Sequence, residues 1–105
     1  MIRVYGSRLC PDCICFEESL KRNNISYEFV DIHENMANLK AFLRLRDMNP
    51  AFDDVKKNGF VGIPAIDLEG EIELDWEKYL QDLGITVAHL EQEKSLTCSV
   101  DGKGC

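Results

Sequence analysis

Two cysteines near the N-terminus have the spacing of a redox-active dithiol. Cys10 and Cys13 enclose Pro11 and Asp12, between an apolar run that begins at Ile2 and a segment with helical periodicity. Residues three apart on a helix lie roughly 5–6 Å apart at Cβ, which is close to disulfide reach. A thiolate is the nucleophile of thiol–disulfide exchange, and a second cysteine can resolve the mixed disulfide that it forms. The spacing therefore predicts a dithiol switch.

The elements around the motif assign a role to each sulfur. A strand from Ile2 to Tyr5, a short loop and a helix from Pro11 place Cys10 at the mouth of the helix and Cys13 one turn inside. Proline at the first helical position costs no hydrogen bond, since that N–H would have no partner anyway. Unpaired backbone N–H groups and the helix dipole favour a thiolate at the mouth. We therefore expect Cys10 to attack and Cys13 to resolve.

Composition limits the classes of protein and partner. The chain has 105 residues, of which 45% are apolar and 30% charged, as expected for one globular domain. Its net charge of −7 argues against nucleic acid or an anionic membrane as the main partner. No apolar run has membrane length, and the N-terminus lacks the pattern of a signal peptide. We expect a cytoplasmic monomer, in a compartment where paired cysteines are usually catalytic or metal-binding.

The rest of the chain alternates helical and extended patterns. Hydrophobic periodicity and capping residues predict the following elements: a helix ending near Arg22, a strand over Ser26–Asp31, a helix from Asn35, a short helix over 51–58, two strands over 65–68 and 71–74, and a helix over 76–83. Asp75 caps the last helix, and Glu69-Gly70 predicts a hairpin turn. The fold class is therefore α/β. The order is β-α-β-α-β-β-α, with a four-stranded mixed sheet and helices on both faces.

The first predicted helix has two distinct faces. Phe16 and Leu20 share one face with Cys13, and this face is expected to be buried. Glu17 and Glu18 lie on the opposite side and are expected to face solvent, where each stands four residues before a basic residue.

The order of elements, the C-x-x-C motif and Gly62-Ile63-Pro64 before the third strand together resemble the glutaredoxin branch of the thioredoxin fold. The resemblance covers residues 1–84, with residues 85–105 as a partly ordered C-terminal extension. It implies that Pro64 is cis and faces the dithiol. It also implies that the backbone of Ile63 pairs with a substrate laid down as an added strand. Taken alone, Pro64 is equally a proline at the start of a strand.

The same resemblance implies a binding site for the tripeptide glutathione. Its basic residue ahead of the motif corresponds to Arg8, and its basic residue on the second helix to Arg44 or Arg46. Pro11 lines the substrate side of the motif. Asp12 stands where the family often has tyrosine, and its carboxylate opposes a neighbouring thiolate.

The other end of the tripeptide site departs from the family pattern. The family has a glycine pair and aspartates after the fourth strand, whereas this chain has Glu73-Leu74-Asp75. Asp75 is the one recognisable partner for the γ-glutamyl amine, and bulky side chains hinder a close backbone approach. We therefore expect no tightly bound cofactor, and glutathione only as a candidate co-substrate of an incomplete pocket. These features are typical of a glutaredoxin-like subgroup with Cys-Pro-Asp-Cys.

Two functions from different classes remain open. The first is a dithiol oxidoreductase that acts on disulfide-containing proteins and is reduced by glutathione or by an enzyme of the thioredoxin reductase type. The alternative is a module that binds a metal ion or an iron–sulfur cluster through the same cysteines, helped by Cys15 or by the pair Cys98 and Cys105. Such centres usually need four thiolates, and we expect no metal ligands here. Otherwise Cys15 is an incidental, partly exposed thiol, and a tail cysteine is either accessible or a regulatory partner of the dithiol. His33 and His89 are expected to be surface residues.

Overall fold

A computed structural model of the chain describes residues 2–85, and its core is a four-stranded mixed sheet. The strands are β1 (Ile2–Gly6), β2 (Tyr27–Asp31), β3 (Ala65–Leu68) and β4 (Glu71–Glu73). Their order across the sheet is β2-β1-β3-β4, with β1 and β2 parallel and both other pairs antiparallel. The predicted fold class is confirmed. The predicted tail segment and its cysteines, like His89, lie outside the described residues.

Four α-helices and one 3₁₀ turn connect the strands. They are α1 (Pro11–Arg22), α2 (Met36–Met48), the 3₁₀ turn Pro50–Phe52, α3 (Asp53–Lys57) and α4 (Trp76–Asp82). Side-chain caps fix three of the starts. Asn35 accepts a hydrogen bond from the backbone N–H of Asn38 at 2.8 Å, and Asp75 accepts one from Lys78 at 3.1 Å. Asn49 caps the 3₁₀ turn in the same way.

The hairpin between β3 and β4 turns at Glu69-Gly70, as predicted. Both residues have positive φ, 55° and 108°, which is the conformation of a tight turn that matches the twist of the strands. Because β3 runs antiparallel to β1, this turn lies at the opposite end of the sheet from the dithiol.

The sheet separates two buried clusters. Neighbouring residues of a strand point to opposite faces, and Val4 and Tyr5 of β1 belong to different clusters. The dithiol cluster is made of Tyr5, Cys10, Cys13, Ile32, Phe42, Phe52, Ile63 and Ala65. The helix-pair cluster is made of Val4, Cys15, Phe16, Leu20, Ile66, Trp76 and Leu80.

One prediction about the buried face of α1 is wrong. Cys15 was expected to point away from the core, but it is only 6% exposed and lies in the helix-pair cluster. Helix α1 packs on α4 as well as on the sheet, so its buried face is wider than the periodicity of Phe16 and Leu20 indicates.

Candidate active site

The dithiol motif forms the first turn of α1. Cys10 is the N-cap, with φ −96° and ψ 121°, and its Sγ accepts a hydrogen bond from the backbone N–H of Cys13 at 3.4 Å. Pro11 occupies the first helical position. The N–H of Cys10 in turn donates to the carbonyl of Ser7 at 3.1 Å. The sulfur of Cys10 thus lies at the positive end of a helix of 12 residues, as predicted.

The two sulfurs of the motif differ in their bonding. Cys10 is disulfide-bonded, whereas Cys13 is a thiol outside any disulfide. The bond of Cys10 is therefore not the internal disulfide of the motif. Cys10 and Cys13 are each 1% exposed, so both sulfurs are buried.

The thiol of Cys13 lies in surroundings that strongly disfavour a negative charge. Burial raises its pKa to about 12. The backbone N–H of Ser7 donates to its Sγ at 3.5 Å and opposes this rise in pKa. The carboxylates of Asp12, Glu17 and Asp31 add to the rise. At neutral pH Cys13 is a protonated thiol whose sulfur is already hydrogen-bonded.

Ser7 connects both cysteines to the surface. It is 1% exposed, its N–H contacts Cys13 and its carbonyl accepts from Cys10. Its hydroxyl accepts from the backbone N–H of Leu9 at 3.1 Å and lies 2.6 Å from Nδ1 of His33. His33 is a surface residue, as expected, but its contact with Ser7 was not predicted. No sequence signal distinguishes this serine from an ordinary loop residue.

Arg8, the predicted basic residue ahead of the motif, is engaged within the protein. Its Nη1 lies 3.4 Å from the carboxylate of Asp31 and its Nη2 lies 3.7 Å from that of Glu17. The guanidinium also lies over the ring of Phe29, at 4.6 Å from the ring centroid. Glu17, which we expected to face solvent, is 7% exposed and accepts a hydrogen bond from the hydroxyl of Tyr27 at 3.0 Å. That expectation is wrong because β2 and Arg8 cover this side of α1.

The predicted proline lies beside the dithiol. The Ile63–Pro64 peptide bond is cis, as the resemblance implied. Pro64 is buried, and Ile63 belongs to the same cluster as Cys10 and Cys13. Gly62 just before them has φ +93°, and a Cβ there would stand 3.0 Å from the ring of Phe52.

The two arginines predicted on the second helix lie in different places. Arg46 donates through Nε to the carbonyl of Val61 at 3.0 Å and through Nη2 to that of Phe60 at 2.8 Å. It therefore holds the segment that leads to Ile63. Arg44 is exposed and lines a surface cavity of about 480 Å³ beside Met48. Only Arg46 is tied to the dithiol side of the sheet by the contacts described.

The residues after β4 contact the dithiol cluster and lead into α4. Leu74 packs against the dithiol cluster. The backbone N–H of Asp75 donates to Oε1 of Glu73 at 2.9 Å, and the carboxylate of Asp75 caps α4. The side chain predicted to bind a γ-glutamyl amine thus already has a structural role.

Within residues 2–85, no three or more His, Cys, Asp or Glu side chains form a group that could hold a metal ion. The tail cysteines considered for such a site lie beyond this range. In the same part of the chain, no helix is long and apolar enough to cross a membrane.

Comparisons with known proteins agree with this architecture. The glutaredoxin family model matches residues 2–72, which include the dithiol motif and Pro64. The chain belongs to the glutaredoxin family and has a thioredoxin/glutaredoxin-like fold. It is 41% identical to an uncharacterized protein of Haemophilus influenzae over 76 residues, which cover 71% of this chain and 88% of that protein. No solved structure matches the chain significantly.

Proposed function

We propose that the protein is a thiol–disulfide oxidoreductase in which Cys10 attacks a substrate disulfide and Cys13 resolves the product. The observation that carries this proposal is the position of Cys10 as N-cap of α1, with the hydrogen-bonded thiol of Cys13 one turn inside. Family membership supports the same chemistry. We place the reaction in the cytoplasm, where thiols are kept reduced.

The reaction has two exchange steps. The thiolate of Cys10 attacks one sulfur of the substrate, forms a mixed disulfide and releases the other substrate sulfur, which takes up a proton. Cys13 then loses its proton and attacks the sulfur of Cys10, so that the second substrate thiol leaves and the motif becomes a disulfide. Two electrons pass from the motif to the substrate. An external dithiol or thiol reductant returns them.

The second step needs help because the pKa of Cys13 is raised to about 12 by burial. The N–H of Ser7 is the donor that stabilises a thiolate on this sulfur. Ser7 therefore supports resolution rather than the first attack.

Substrate docks on the backbone next to the cis proline. Ile63 offers its N–H and carbonyl to an extended peptide as an added strand, and Pro11 lines the other side of the reacting sulfur. Arg46 supports this edge indirectly, because it holds the carbonyls of Phe60 and Val61.

Glutathione is a poor substrate in this proposal, and protein disulfides are preferred. Arg8 and Arg46 are engaged within the protein, while Glu73 and Leu74 stand where the family has glycines. Losing two hydrogen bonds, at roughly 1 kcal/mol each, weakens a complex about 30-fold. Changing Glu73 and Leu74 to glycine is expected to raise the glutathione-dependent rate, measured with glutathione and its reductase. Wild-type turnover equal to that of an ordinary glutaredoxin contradicts this part.

The assignment of the two sulfurs is tested by limited alkylation. Fully reduced protein treated with a limiting amount of iodoacetamide at neutral pH is expected to carry the label on Cys10 well before Cys13, as read by peptide mass spectrometry. Cys13→Ser is the matched variant and leaves the labelling of Cys10 intact. Faster labelling of Cys13 contradicts the proposed roles.

A further inference from the structure

At the end of the sheet that carries the dithiol, the acidic and basic side chains are placed differently. The parallel strands β1 and β2 end there together, with Gly6 paired to Asp31. On the other side, Glu73 pairs with Ile66, so the chain after β4 continues towards the same edge. The residues that follow these three strands therefore lie at the end of the sheet that carries the motif.

Both arginines predicted to bind an anionic ligand make contacts within the protein, and the side chain of Arg8 is also 61% exposed. Arg8 lies between the carboxylates of Asp31 and Glu17, at 3.4 Å and 3.7 Å. Arg46 directs two of its nitrogens at the backbone carbonyls of Phe60 and Val61. An anionic ligand must compete with these contacts, and in the case of Arg8 it must approach two carboxylates.

Acidic groups, by contrast, reach the motif itself. Asp12 places a carboxylate between the two cysteines in sequence, and Glu17 stands one turn after Cys13 on the same helix. Together with Asp31 they raise the pKa of Cys13, after burial as the main cause. Glu17 and Asp31 share the single guanidinium of Arg8, so these three carboxylates outnumber the one cation beside them, and a substrate at Cys10 enters a region of net negative charge. Glu73 and Asp75 flank Leu74, which packs against the dithiol cluster.

From this arrangement we propose that the site selects disulfides with a positive charge close to the reacting sulfur. A cysteine flanked by lysine or arginine in a peptide is the substrate class that fits, and anionic disulfides such as glutathione disulfide are disfavoured. The inference rests on the proposed exchange chemistry of Cys10 and Cys13. The steps are unchanged: the reduced motif becomes a disulfide, and the cationic disulfide becomes two thiols.

The test compares three small disulfides that differ in charge. The pre-reduced full-length chain is mixed with cystamine, which is cationic, bis(2-hydroxyethyl) disulfide, which is neutral, or glutathione disulfide, which is anionic. Samples are quenched with N-ethylmaleimide, and loss of the Cys10 thiol is followed by peptide mass spectrometry. Each rate is divided by the rate of 2-mercaptoethanol with the same disulfide, because the leaving-group pKa alters intrinsic reactivity.

We expect the normalised rate for cystamine to exceed that for glutathione disulfide roughly tenfold or more at low salt. Raising NaCl from about 0.02 M to about 0.5 M shortens the Debye length from roughly 20 Å to roughly 4 Å. Higher salt should therefore slow the reaction with cystamine and accelerate the reaction with glutathione disulfide. The neutral disulfide should change little.

A matched pair of variants locates the effect. Asp12→Asn removes one carboxylate at the motif with little change of shape, and it should lower the ratio of cystamine to glutathione rates. Glu71→Gln removes the same charge at the opposite end of β4 and should leave the ratio as in the wild type. An equal fall in both variants assigns the preference to net charge alone and overturns the proposed local site.

Failure of the inference is distinct from failure of the proposed function. If all three disulfides react at equal normalised rates, or glutathione disulfide reacts fastest, the charge selection is wrong while the exchange chemistry stands. If none of them oxidises Cys10, the proposed function itself is wrong.

Discussion

Both faces of the sheet are covered by apolar side chains and cysteines, but one cluster packs aromatic rings and the other holds the dithiol. The helix-pair cluster buries Phe16 between Trp76 and Tyr79, with ring centroids 6.1 and 6.2 Å away in edge-to-face geometry. The dithiol cluster buries two cysteines and Ile63 among its apolar side chains. Its polar contacts include the N–H of Ser7 on the sulfur of Cys13.

The difference is clearest in two cysteines of one helix. Cys13 and Cys15 are two residues apart, and both are buried. Cys13 lies in the dithiol cluster, with Ser7 as a donor to its sulfur, whereas Cys15 lies in the helix-pair cluster with Phe16. Burial alone therefore does not distinguish a reacting sulfur from a packing one. The backbone next to the sulfur distinguishes them, because the N–H of Ser7 donates to the sulfur of Cys13.

Replacing each of these cysteines by serine gives the largest expected contrast. Cys13→Ser should leave the first attack but stop resolution, so that a covalent adduct of Cys10 with the substrate accumulates and turnover falls by orders of magnitude. Cys15→Ser should keep turnover near that of the wild type and lower stability. Intact mass after mixing with a disulfide peptide measures the adduct. Accumulation in Cys15→Ser as well would remove the distinction between the two faces.

Truncating a buried ring on each face separates stability from chemistry. Phe16→Ala should lower the free energy of unfolding by about 3–5 kcal/mol, because its ring is fully buried. Phe42→Ala should cost about as much, since Phe42 packs against Tyr5 and Phe52. Only the second variant should also slow exchange per folded molecule, because Phe52 supports Gly62 ahead of the cis proline. Urea unfolding and single-turnover rates measure the two effects.

Adding one methyl group at Gly6 should disturb the dithiol face. A Cβ at this position would stand 2.8 Å from Sγ of Cys13 and 3.2 Å from the ring of Phe29. Overpacking of this kind costs about 1–3 kcal/mol, so Gly6→Ala should be less stable and slower in resolution. The same change at Gly84 meets no atom within 4 Å but has φ +76°, so it tests backbone strain without contact at the sulfur.

The raised pKa of Cys13 predicts a loss of stability in alkali. The folded thiol has a pKa of about 12 and an ordinary thiol one of 9.0, so above pH 9 the unfolded chain loses a proton that the folded chain keeps. The free energy of unfolding should therefore fall with rising pH, by at most about 1.4 kcal/mol per pH unit from this group. Burial also raises the pKa of Tyr27, from 10.0 to about 12, and that of Tyr79, so the thiol contributes most relative to these phenols in the lower part of the range from pH 9.0 to pH 10.0.

A Cys13→Ala variant is the control for this pH effect. The difference in unfolding free energy between wild type and variant should shrink or reverse as pH rises through that range. A difference that does not depend on pH contradicts the placement of a protonated thiol at Cys13.

The smallest effect is expected at His33. His33→Ala removes the contact of Nδ1 with the hydroxyl of Ser7 and leaves the N–H of Ser7 in place. A hydrogen bond contributes about 0.5–1.5 kcal/mol, so resolution should slow by roughly two- to thirteenfold while the first attack is unchanged. Release of the second thiolate from a chromogenic disulfide on Cys10 measures this step. His33→Asn, which keeps a polar group near the hydroxyl, should restore part of the rate.

Local signals were sufficient to predict the scaffold and the dithiol. Capping residues such as Asn35 and Asp75 act within one helical turn, and the C-x-x-C spacing is itself a short-range pattern. The cis proline followed from a resemblance and not from any local rule. These predictions concern contacts between residues close in the sequence or shared by a whole family.

The errors and omissions at the site are long-range. Glu17 is buried because Tyr27 and Arg8 cover it, and no helical pattern records what lies across from a helix. The hydroxyl of Ser7 contacts His33, which is 26 residues away in the chain. Periodicity reports how polar a side chain is and not which element will meet it. The polar contacts around a buried site are therefore the hardest part to predict from the sequence.

The hydrogen bonds from Arg46 to the carbonyls of Phe60 and Val61 have a consequence for the evolution of the chain length. They join the last turn of α2 to the residues that follow α3. The residues between Arg46 and Phe60 therefore form a loop whose two ends are held together. Closing a longer flexible loop costs only about 0.6 kcal/mol for each doubling of its length. Phe52 lies within this segment, is buried in the dithiol cluster and stands next to Gly62, so insertions or deletions between Met48 and Gly59 should be tolerated where they leave Phe52 in place. The substrate edge at Ile63 would keep its place, and relatives can differ in this segment without losing the reaction.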